Sequence, residues 1–551
     1  MDLASLTRHQ RTAGRVAEIV KVLARYSLAG WLRKVNVQAV RHFLTGVDGK
    51  PIAGVAFEAR VRMALTELGP TFIKLGQVLS TRADLVGPAL AQELSELQAN
   101  TPAEAPQSIR ATVESELGRP VEALFAQFEA SAFASASIGQ VHRARLHGGQ
   151  VVVVKVRHKD VEEKVQRDLD ILKALADLGE KHSGELRRYR PRAVVNEFRR
   201  SITREMDFRR ELRNLQEFIR NFRSDPTVRF PTPYPELSSR RVLTMDFLDG
   251  VSIGEPGRLR GAGIEPGEVA RRGADLCLRM IFRDGFYHAD PHPGNLLVLP
   301  GKVLGLIDVG MVGRLEDQTR EAFTTALLAS INMDVEGLTD VVMRLATVPA
   351  DLDRESFQAE INEFLSDYAT QPLNQFDVSG ALNGITDIIR RYHIILPASF
   401  ALLLRFLVVL EGSARKLDPT FSLAEMIRPY YLRILRDKFS PRRIFRRVQR
   451  AVVAWDRLLA MLPGDLADIL ERVRRGEFKV KLEHKWLDPL VRIMAQCILT
   501  SALFLGSSHM MSSKAAPTLF DVSVLGAMGM AVSLGLLLRM FWASRRRRDE
   551  P

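Results

Sequence analysis

A polar block near the middle of the sequence restricts the folds open to this chain more than any other feature. Residues 288–295 read HADPHPGN, and Asp308, the first residue of an Asp-Val-Gly triplet, follows later in the chain. Phosphoryl transfer needs one carboxylate that orients the attacking oxygen, and hard oxygen ligands that hold magnesium against the phosphates. We therefore interpret Asp290 as the orienting group, and Asn295 and Asp308 as metal ligands. The alternative is a polar loop between strands, because Asp, Asn, Pro and Gly are common turn residues.

A run of valines interrupted by one lysine precedes this block. Residues 151–156 read VVVVKV, which predicts a buried strand. An unpaired buried ammonium group is costly, so Lys155 should have a phosphate or carboxylate partner. A turn at residues 147–150 joins this strand to an earlier one at residues 140–145, which predicts a hairpin of the kind that covers a nucleotide.

The loop before this hairpin lies where a glycine-rich phosphate-binding loop is expected, but alanine and serine dominate it. Side chains with a Cβ atom limit how closely backbone amides approach phosphates, so the nucleotide geometry should differ from that of an ordinary kinase. The candidate ATP-binding residues in the loop are Ala134, Ser135, Ala136, Ser137, Ile138 and Gly139.

Two helical segments carry further polar residues. Residues 70–82 read PTFIKLGQVLSTR, in which Lys74 and Gln77 lie on one helix face. Residues 205–211 read EMDFRRE and place acids on a second helical segment. Each pattern taken alone is typical of a solvated helix surface, and only the ordered set of motifs changes that interpretation.

With these five ordered motifs, the sequence closely resembles the UbiB (aarF-domain, atypical kinase-like) family from about residue 51 to residue 419. The resemblance implies an α+β class: an atypical protein-kinase-like fold of two lobes with a helical N-terminal extension. It also implies ATP or ADP and magnesium ions as cofactors, with Asp290 in the catalytic role.

The same resemblance implies specific partners for several charged residues. Lys155 is expected to form an ion pair with Glu211, while Glu205 and Asp207 are the motif acids. The extension is expected to lie across the mouth of the site, where Lys74 would meet Glu205 and exclude a protein substrate. We therefore interpret Lys74 and Gln77 as an inhibitory or substrate-limiting motif.

Some features of ordinary protein kinases are missing. No Ala-Pro-Glu follows Asp308, and the block at residues 288–295 lacks the usual arginine before its aspartate. The sequence therefore argues against phosphorylation of proteins by the ordinary route. A small-molecule kinase of the aminoglycoside or choline type has a similar block, but the motif at Lys74 and Gln77 and the C-terminal sequence argue against it.

Composition and charge indicate where such a protein works. The chain has 551 residues, 46% of them hydrophobic, and a net charge of +13, which indicates either nucleic acid or an anionic membrane surface as partner. The two cysteines, Cys277 and Cys497, lie far apart and outside any metal-ligand pattern, which suits a reducing compartment.

The C-terminal sequence decides between these partners. Residues 490–508 and 519–542 are apolar, and each stretch is near the roughly 20 residues that cross a bilayer. We predict two transmembrane helices and no nucleic-acid partner; the alternative is a buried helical pair in a soluble domain. Basic residues before and after the pair place both ends in the cytoplasm, so we expect a multi-pass protein of the inner (cytoplasmic) membrane. Ala502, Gly506 and Gly535 belong to small-residue repeats that would let the helices approach closely.

The predicted organisation has seven parts. They are a basic helical N-terminus (1–50), the extension (51–120), a kinase-like N-lobe (121–250), a kinase-like C-lobe (251–430), a basic amphipathic linker on anionic lipid (431–488), the two transmembrane helices (489–543) and a basic cytoplasmic tail (544–551).

The resemblance implies a membrane-anchored ATPase that supports ubiquinone biosynthesis by magnesium-dependent ATP hydrolysis or by phosphorylation of a small acceptor. The expected partners are anionic membrane lipid and either quinone precursors or quinone-synthesis enzymes, and a homo-oligomer remains open. The alternative is a scaffold that binds nucleotide without turnover and organises quinone-synthesis enzymes.

Overall fold

The computed structural model describes residues 3–28, 55–97, 102–182, 187, 190–369, 376–438, 487–513, 516–519 and 522–546. The chain divides into two compact units, Met1–Ser440 and Pro441–Pro551. Most of the predicted amphipathic linker lies outside the described residues, as does the basic N-terminal sequence from residue 29 to residue 50.

Helices dominate the N-terminal part of the first unit. They are α1 (Leu3–Arg25), α2 (Phe57–Leu68), α3 (Pro70–Ser80), α4 (Ala83–Val86), α5 (Pro88–Ser95), α6 (Pro106–Leu117), α7 (Val121–Leu124), α8 (Val161–His182), α9 (Pro191–Glu205) and α10 (Phe208–Asn221). Gly69 has a φ angle of 92°, which suits glycine, and Pro70 begins α3, so the local sequence separates α2 from α3. Apolar residues of α1, α2, α3 and α5 pack with those of α8 and α9 in one core.

An antiparallel sheet forms the small lobe. Its strands are β1 (Gln127–Phe128), β2 (Ala134–Ser135), β3 (Gly139–Arg145), β4 (Val151–Arg157) and β6 (Val242–Asp246), in the order β1-β3-β4-β6 with β2 paired to β3. Side chains alternate along β4, so Val152 and Val154 pack against Ile109 of α6 in the sheet core, whereas Val153 packs with the core of the large lobe. Lys155 lies on the same face as Val153.

The large lobe is mainly helical. Its helices are α11 (Pro256–Gly261), α12 (Pro266–Arg279), α13 (Asp317–Ile331), α14 (Val335–Leu345), α15 (Arg354–Ala369), α16 (Val378–Arg391), α17 (Ala398–Leu417) and α18 (Leu423–Lys438). Its strands are β5 (Val228–Arg229), β7 (Val251–Ser252), β8 (Phe286–His288), β9 (Leu296–Leu299), β10 (Val303–Leu306) and β11 (Val312–Arg314).

Two pairs of short strands frame the polar block. β8 pairs with β11 and β9 pairs with β10, both antiparallel. The block therefore forms the connection from β8 to β9, and Asp308 lies in the connection from β10 to β11. The architecture is mixed α/β and rich in helix, as the sequence predicted.

The second unit contains a helical hairpin, α19 (Leu487–Ser512) and α20 (Val524–Arg546), with a short strand pair, β12 (Thr518–Leu519) and β13 (Val522–Ser523), between the helices. The prediction that these two helices are transmembrane is not supported, because no helix among the described residues is both long and apolar enough to cross a membrane. The helices approach closely at Gly529, where a Cβ would lie 2.2 Å from Ser507 Oγ. A Cβ on Gly506 or Gly535 would meet open space, so these two glycines of the predicted repeats do not form this contact.

Candidate phosphoryl-transfer site

Lys155 lies at the centre of a charged cluster between the lobes. Its Nζ is 2.9 Å from Oε2 and 3.1 Å from Oε1 of Glu211, which lies on α10. The same Nζ is 3.7 Å from Oδ2 of Asp308. The ion pair between Lys155 and Glu211 that the resemblance implied is therefore present, and Asp308 adds a second carboxylate.

Burial and charge act in opposite directions on these three groups. Burial raises the pKa of Glu211 to about 7, since the pairing with Lys155 offsets only part of the effect. Burial alone would lower the pKa of Lys155, but the negative charges of Asp308 and Glu211 have the larger effect, so the pKa of Lys155 is raised. Lys155 in turn lowers the pKa of Asp308 to about 2, and a hydrogen bond from Gly310 N, 2.9 Å from Oδ1, acts in the same direction. Lys155 and Asp308 are charged at neutral pH, whereas Glu211 titrates there.

His288 connects the two halves of the site. Its Nδ1 accepts a hydrogen bond from the backbone N–H of Asp290 at 3.1 Å. The other ring nitrogen, Nε2, therefore carries the proton and donates to the backbone carbonyl of Asp308. One imidazole thus holds the loop of Asp290 against the segment of Asp308.

Asn295 lies at the end of the same loop. Its side-chain NH₂ group donates to the backbone carbonyl of Asp290 at 3.2 Å, and its backbone carbonyl accepts from Ile307 N at 3.1 Å. The amide oxygen of Asn295 is then the atom available to a cation, as is the carboxylate of Asp308.

These oxygen donors fit magnesium, which in nucleotide sites usually takes one or two protein ligands and completes its shell with phosphates and water. The described ranges contain no group of three or more His, Cys, Asp or Glu side chains arranged to hold a metal ion.

Helix α10 holds both sides of the cluster. Besides carrying Glu211, it presents Asn214, whose Nδ2 donates to the backbone carbonyl of Val309 at 3.0 Å. Asp207 caps the start of the helix by accepting a hydrogen bond from Arg209 N at 3.2 Å. Asp207 therefore has a local contact that explains an acid at this position.

Lys74 and Gln77 of the extension have different contacts. The ammonium group of Lys74 forms an ion pair with Glu205, as the resemblance implied. Gln77 instead donates from Nε2 to the backbone carbonyl of Leu97 at 2.9 Å. Gly76 lies between them and is closely packed, since a Cβ there would lie 2.2 Å from Leu97 Cδ1 and that side chain would have to shift. Gln77 and Gly76 thus pack α3 against the segment that follows α5. Lys74, in contrast, contacts an acid of the small lobe.

The alanine-rich loop is held against the protein at its C-terminal end, whereas Ala134 and Ala136 are exposed. Ser137 and Ile138 are buried, and the backbone carbonyl of Ile138 accepts from His158 N at 2.9 Å. Gly139 begins β3, and a Cβ there would lie 2.4 Å from the backbone oxygen of Val156, so strand approach requires this glycine. Its neighbour on the strand, Val141, lies opposite Lys155.

Sequence reasoning assigned no chemistry to Arg405, yet it lies near the polar block. Burial lowers the pKa of Arg405, and the charge of Asp290 opposes that effect. Its signal in the sequence was a lone arginine within the apolar run ALLLRFLVV of α17. Asn214 was also missed, because its contact with Val309 joins residues far apart in the chain.

A strand lysine paired with a helix glutamate, facing an Asp- and Asn-containing loop, is the arrangement of a protein-kinase-like fold. The model of the ABC1 atypical kinase-like domain matches residues 96–342, that of the UbiB helical domain matches residues 361–422, and that of the ABC1/UbiB kinase-like C-terminal domain matches residues 483–546. The chain belongs to the UbiB family.

Relatives cover most of this chain. A protein of Pseudomonas paraeruginosa named "Probable protein kinase UbiB" is 33% identical over 79% of this chain and 83% of its own length. An uncharacterized protein of Synechocystis is 32% identical over 79% of this chain and 75% of its own length. A solved erythromycin complex of a Mycobacterium tuberculosis protein covers 66% of this chain and 92% of its own, with 20% identity and a TM-score of 0.44.

Proposed function

We propose that this protein is a magnesium-dependent ATPase, or a kinase of a small acceptor, that supports ubiquinone biosynthesis at a membrane. The observation that carries the proposal is the convergence of Lys155, Glu211 and Asp308 beside the loop that holds Asp290 and Asn295. Burial of charged side chains is costly unless they are paired, so a buried set of this kind is uncommon outside functional sites.

Each residue has a role that its contacts support. When bound, ATP supplies the transferable phosphoryl group and magnesium neutralises its charge. Lys155, oriented by Glu211, contacts the phosphates, and the oxygens of Asn295 and Asp308 hold the metal. Asp290 accepts a hydrogen bond from water or from an acceptor hydroxyl and orients that oxygen. In hydrolysis, ATP and water give ADP, phosphate and a proton.

The position of the extension supports the proposal of a small acceptor. Lys74 joins α3 to Glu205 at the edge of the small lobe, and its side chain is only 16% exposed. In this proposal the extension limits access by a folded protein, so water or a small molecule reaches Asp290.

The second unit supports a membrane location. Apolar side chains on both helices of the hairpin are exposed, with Leu499 at 71%, Leu505 at 68% and Met528 at 62%. Apolar surface of this extent on a soluble protein marks an interaction site, and we propose acyl chains of an anionic membrane as its partner. The association with quinone precursors or quinone-synthesis enzymes rests on membership of the family.

A nucleotide-binding scaffold without turnover is the second candidate, because binding of magnesium nucleotide would need Asn295 and Asp308 but not Asp290. The two candidates differ at Asp290. The test is the quinone pool, measured by mass spectrometry, in a strain that lacks this gene and carries the wild type, Asp290→Asn or Asp351→Asn at equal protein levels. Asp351 is an exposed aspartate and serves as matched control.

We expect the wild type and Asp351→Asn to restore the quinone pool and Asp290→Asn to leave it low. Equal restoration by all three proteins would favour the scaffold and contradict a role for phosphoryl chemistry.

A further inference from the structure

A cavity of about 60 Å³ lies between the extension and the large lobe, apart from the charged cluster of Lys155. Helices α3, α4 and α5 form one wall, and α16 and α17 form the other. The lining includes Ser80, Asp84, Ala91, Thr386, Arg405 and Val408.

Among the described residues, one charged residue in the lining of the cavity has no ion pair. Asp84 and Arg405 are the two charged residues in its lining. Asp84 accepts hydrogen bonds from Arg82 at 2.8 and 2.9 Å and from Leu396 N at 3.2 Å, so its charge is paired. Among the described residues, by contrast, Arg405 has no carboxylate oxygen within 4.0 Å. Arg405 is therefore the charged residue of the lining that an ion pair does not offset, and Asp290 supplies the negative charge that acts on it.

Helix α17 also supports the loop that carries Asp290. The hydroxyl of Ser413 donates to the backbone carbonyl of Pro291 at 3.5 Å, and the ring of Phe406 lies 5.2 Å from that of Tyr287 on β8. Arg405 precedes Phe406 in the sequence, and the charge of Asp290 opposes the lowering of the pKa of Arg405 by burial. The positive end of the cavity therefore lies beside the polar block.

We propose that this cavity binds the carboxylate head group of a small amphipathic organic acid, with Arg405 as its counter-ion. A guanidinium group matches the planar geometry of a carboxylate with two parallel hydrogen bonds. The cavity is smaller than the roughly 150 Å³ that hold a benzene molecule, so it takes the head group, while the apolar body lies against apolar lining residues such as Val408 and Val409.

This inference deepens the proposed function, because the acid bound in the cavity would be the phosphoryl acceptor. Only that role as acceptor rests on the proposed function. A carboxylate on Arg405 would place the ligand on α17, the helix that also contacts the loop of Asp290. Occupation of the cavity by an acid can be measured without nucleotide, so the two proposals fail separately.

The probe is benzoate, with benzamide as its uncharged isostere, titrated by ligand-observed NMR against the full-length protein in detergent without nucleotide. The variants are Arg405→Gln, which removes the counter-ion, and Val408→Phe, which fills the cavity but keeps the charge. Lys416→Gln is the matched control, because Lys416 is an exposed cation on the same helix. Thermal unfolding of each variant establishes that it is folded.

We expect benzoate to bind the wild type and Lys416→Gln equally, and benzamide to bind at least tenfold more weakly. The dissociation constant of benzoate should rise by roughly 10-fold or more in Arg405→Gln, as loss of a charge-assisted hydrogen bond predicts, and Val408→Phe should also weaken it. Equal binding of benzoate and benzamide, unchanged binding in Arg405→Gln, or no binding of benzoate to the wild type would overturn the proposal. Benzoate binding as expected in a protein without ATP turnover would contradict the proposed function alone.

Discussion

Lys155 shows how one side chain organises the site. A strand buried on both faces has no need of an ammonium group, and placing one there requires compensation by Glu211 and Asp308. The side chain of Lys155 is 18% exposed, so one side of it remains accessible. Phosphate oxygens approaching from that side would complete its coordination.

Substituting this lysine should weaken nucleotide binding and leave the protein folded. In Lys155→Met the phosphates lose a cation and Asp308 loses its counter-ion, so we expect the dissociation constant of magnesium ATP to rise at least tenfold. Displacement of a fluorescent nucleotide measures it. Lys159→Met, at an exposed lysine four positions on, should bind like the wild type. Equal affinities of the two variants would contradict the role of Lys155.

The raised pKa of Glu211 predicts a pH dependence of stability. In the folded protein this carboxyl has a pKa of about 7 instead of 4.5, so the folded state binds more protons than the unfolded state between these values. The contribution of Glu211 to stability is therefore fully present below about pH 4.5 and is lost as the pH rises towards 7.

Thermal midpoints at pH 5 and pH 8 measure this effect. We expect the wild type to lose more stability over that interval than Glu211→Gln, which has no titrating group there. Glu363→Gln, at an exposed glutamate, should change with pH as the wild type does. The same pH slope in all three proteins would show that Glu211 has an ordinary pKa.

At the scale of elements, α3 and α4 are joined to both lobes through one buried arginine. Arg82 Nη1 lies 2.8 Å from Glu197 of α9, and Arg82 Nη2 also donates to the backbone carbonyl of Leu396 before α17 at 3.3 Å. Its main partner, Asp84, has a fully buried side chain. The extension therefore depends on this pair for its position.

Loss of Arg82 should be far more costly than loss of a similar surface arginine. Arg82→Met leaves Asp84 buried without a counter-ion, for which we expect about 3–5 kcal/mol of lost unfolding free energy. Arg62→Met removes a pair with Glu93 whose side chains are 36% and 30% exposed, and should cost roughly 0–1 kcal/mol. Urea unfolding compares the two variants. Similar losses would mean that Arg82 does not hold the extension.

The same elements show what the sequence could and could not predict. The Lys155 pair and the contact of Lys74 were accessible because they belong to ordered motifs with family partners. The partner of Gln77 was not, since a helix face in the sequence does not reveal which backbone carbonyl it will meet. The role of Arg405 could not be predicted, because the sequence shows only a lone arginine in an apolar helix. The cavity that it lines forms only in the folded protein, where α3, α4 and α5 pack near α17.

At the scale of the whole molecule, the chain combines a kinase-like unit with a helical hairpin of different surface character. The charged cluster, the polar block and the cavity all belong to the first unit. The exposed apolar side chains are concentrated in the second, on α19 and α20. In our account, the first unit performs the chemistry and the second brings it to lipid.

Polar substitutions on the hairpin should weaken membrane binding. The double variant Leu499→Gln and Leu505→Gln removes two exposed apolar side chains, so we expect partitioning to phospholipid vesicles to fall roughly 10-fold or more. The control, Phe57→Gln with Met333→Gln, alters exposed apolar side chains of the first unit and should bind as before. Co-sedimentation measures both. Unchanged sedimentation of the hairpin variant would exclude this surface as the lipid contact.

The most direct test of the central claim is ATP hydrolysis by the purified full-length protein with magnesium, compared between the wild type and Asp290→Asn at saturating nucleotide. Asp290 lies in a loop held by His288 and Asn295, so the amide should preserve the loop and the affinity for nucleotide while removing the group that orients the attacking oxygen. We predict equal nucleotide affinity and a loss of turnover of roughly 100-fold or more. Turnover by Asp290→Asn equal to that of the wild type would contradict phosphoryl transfer at this site.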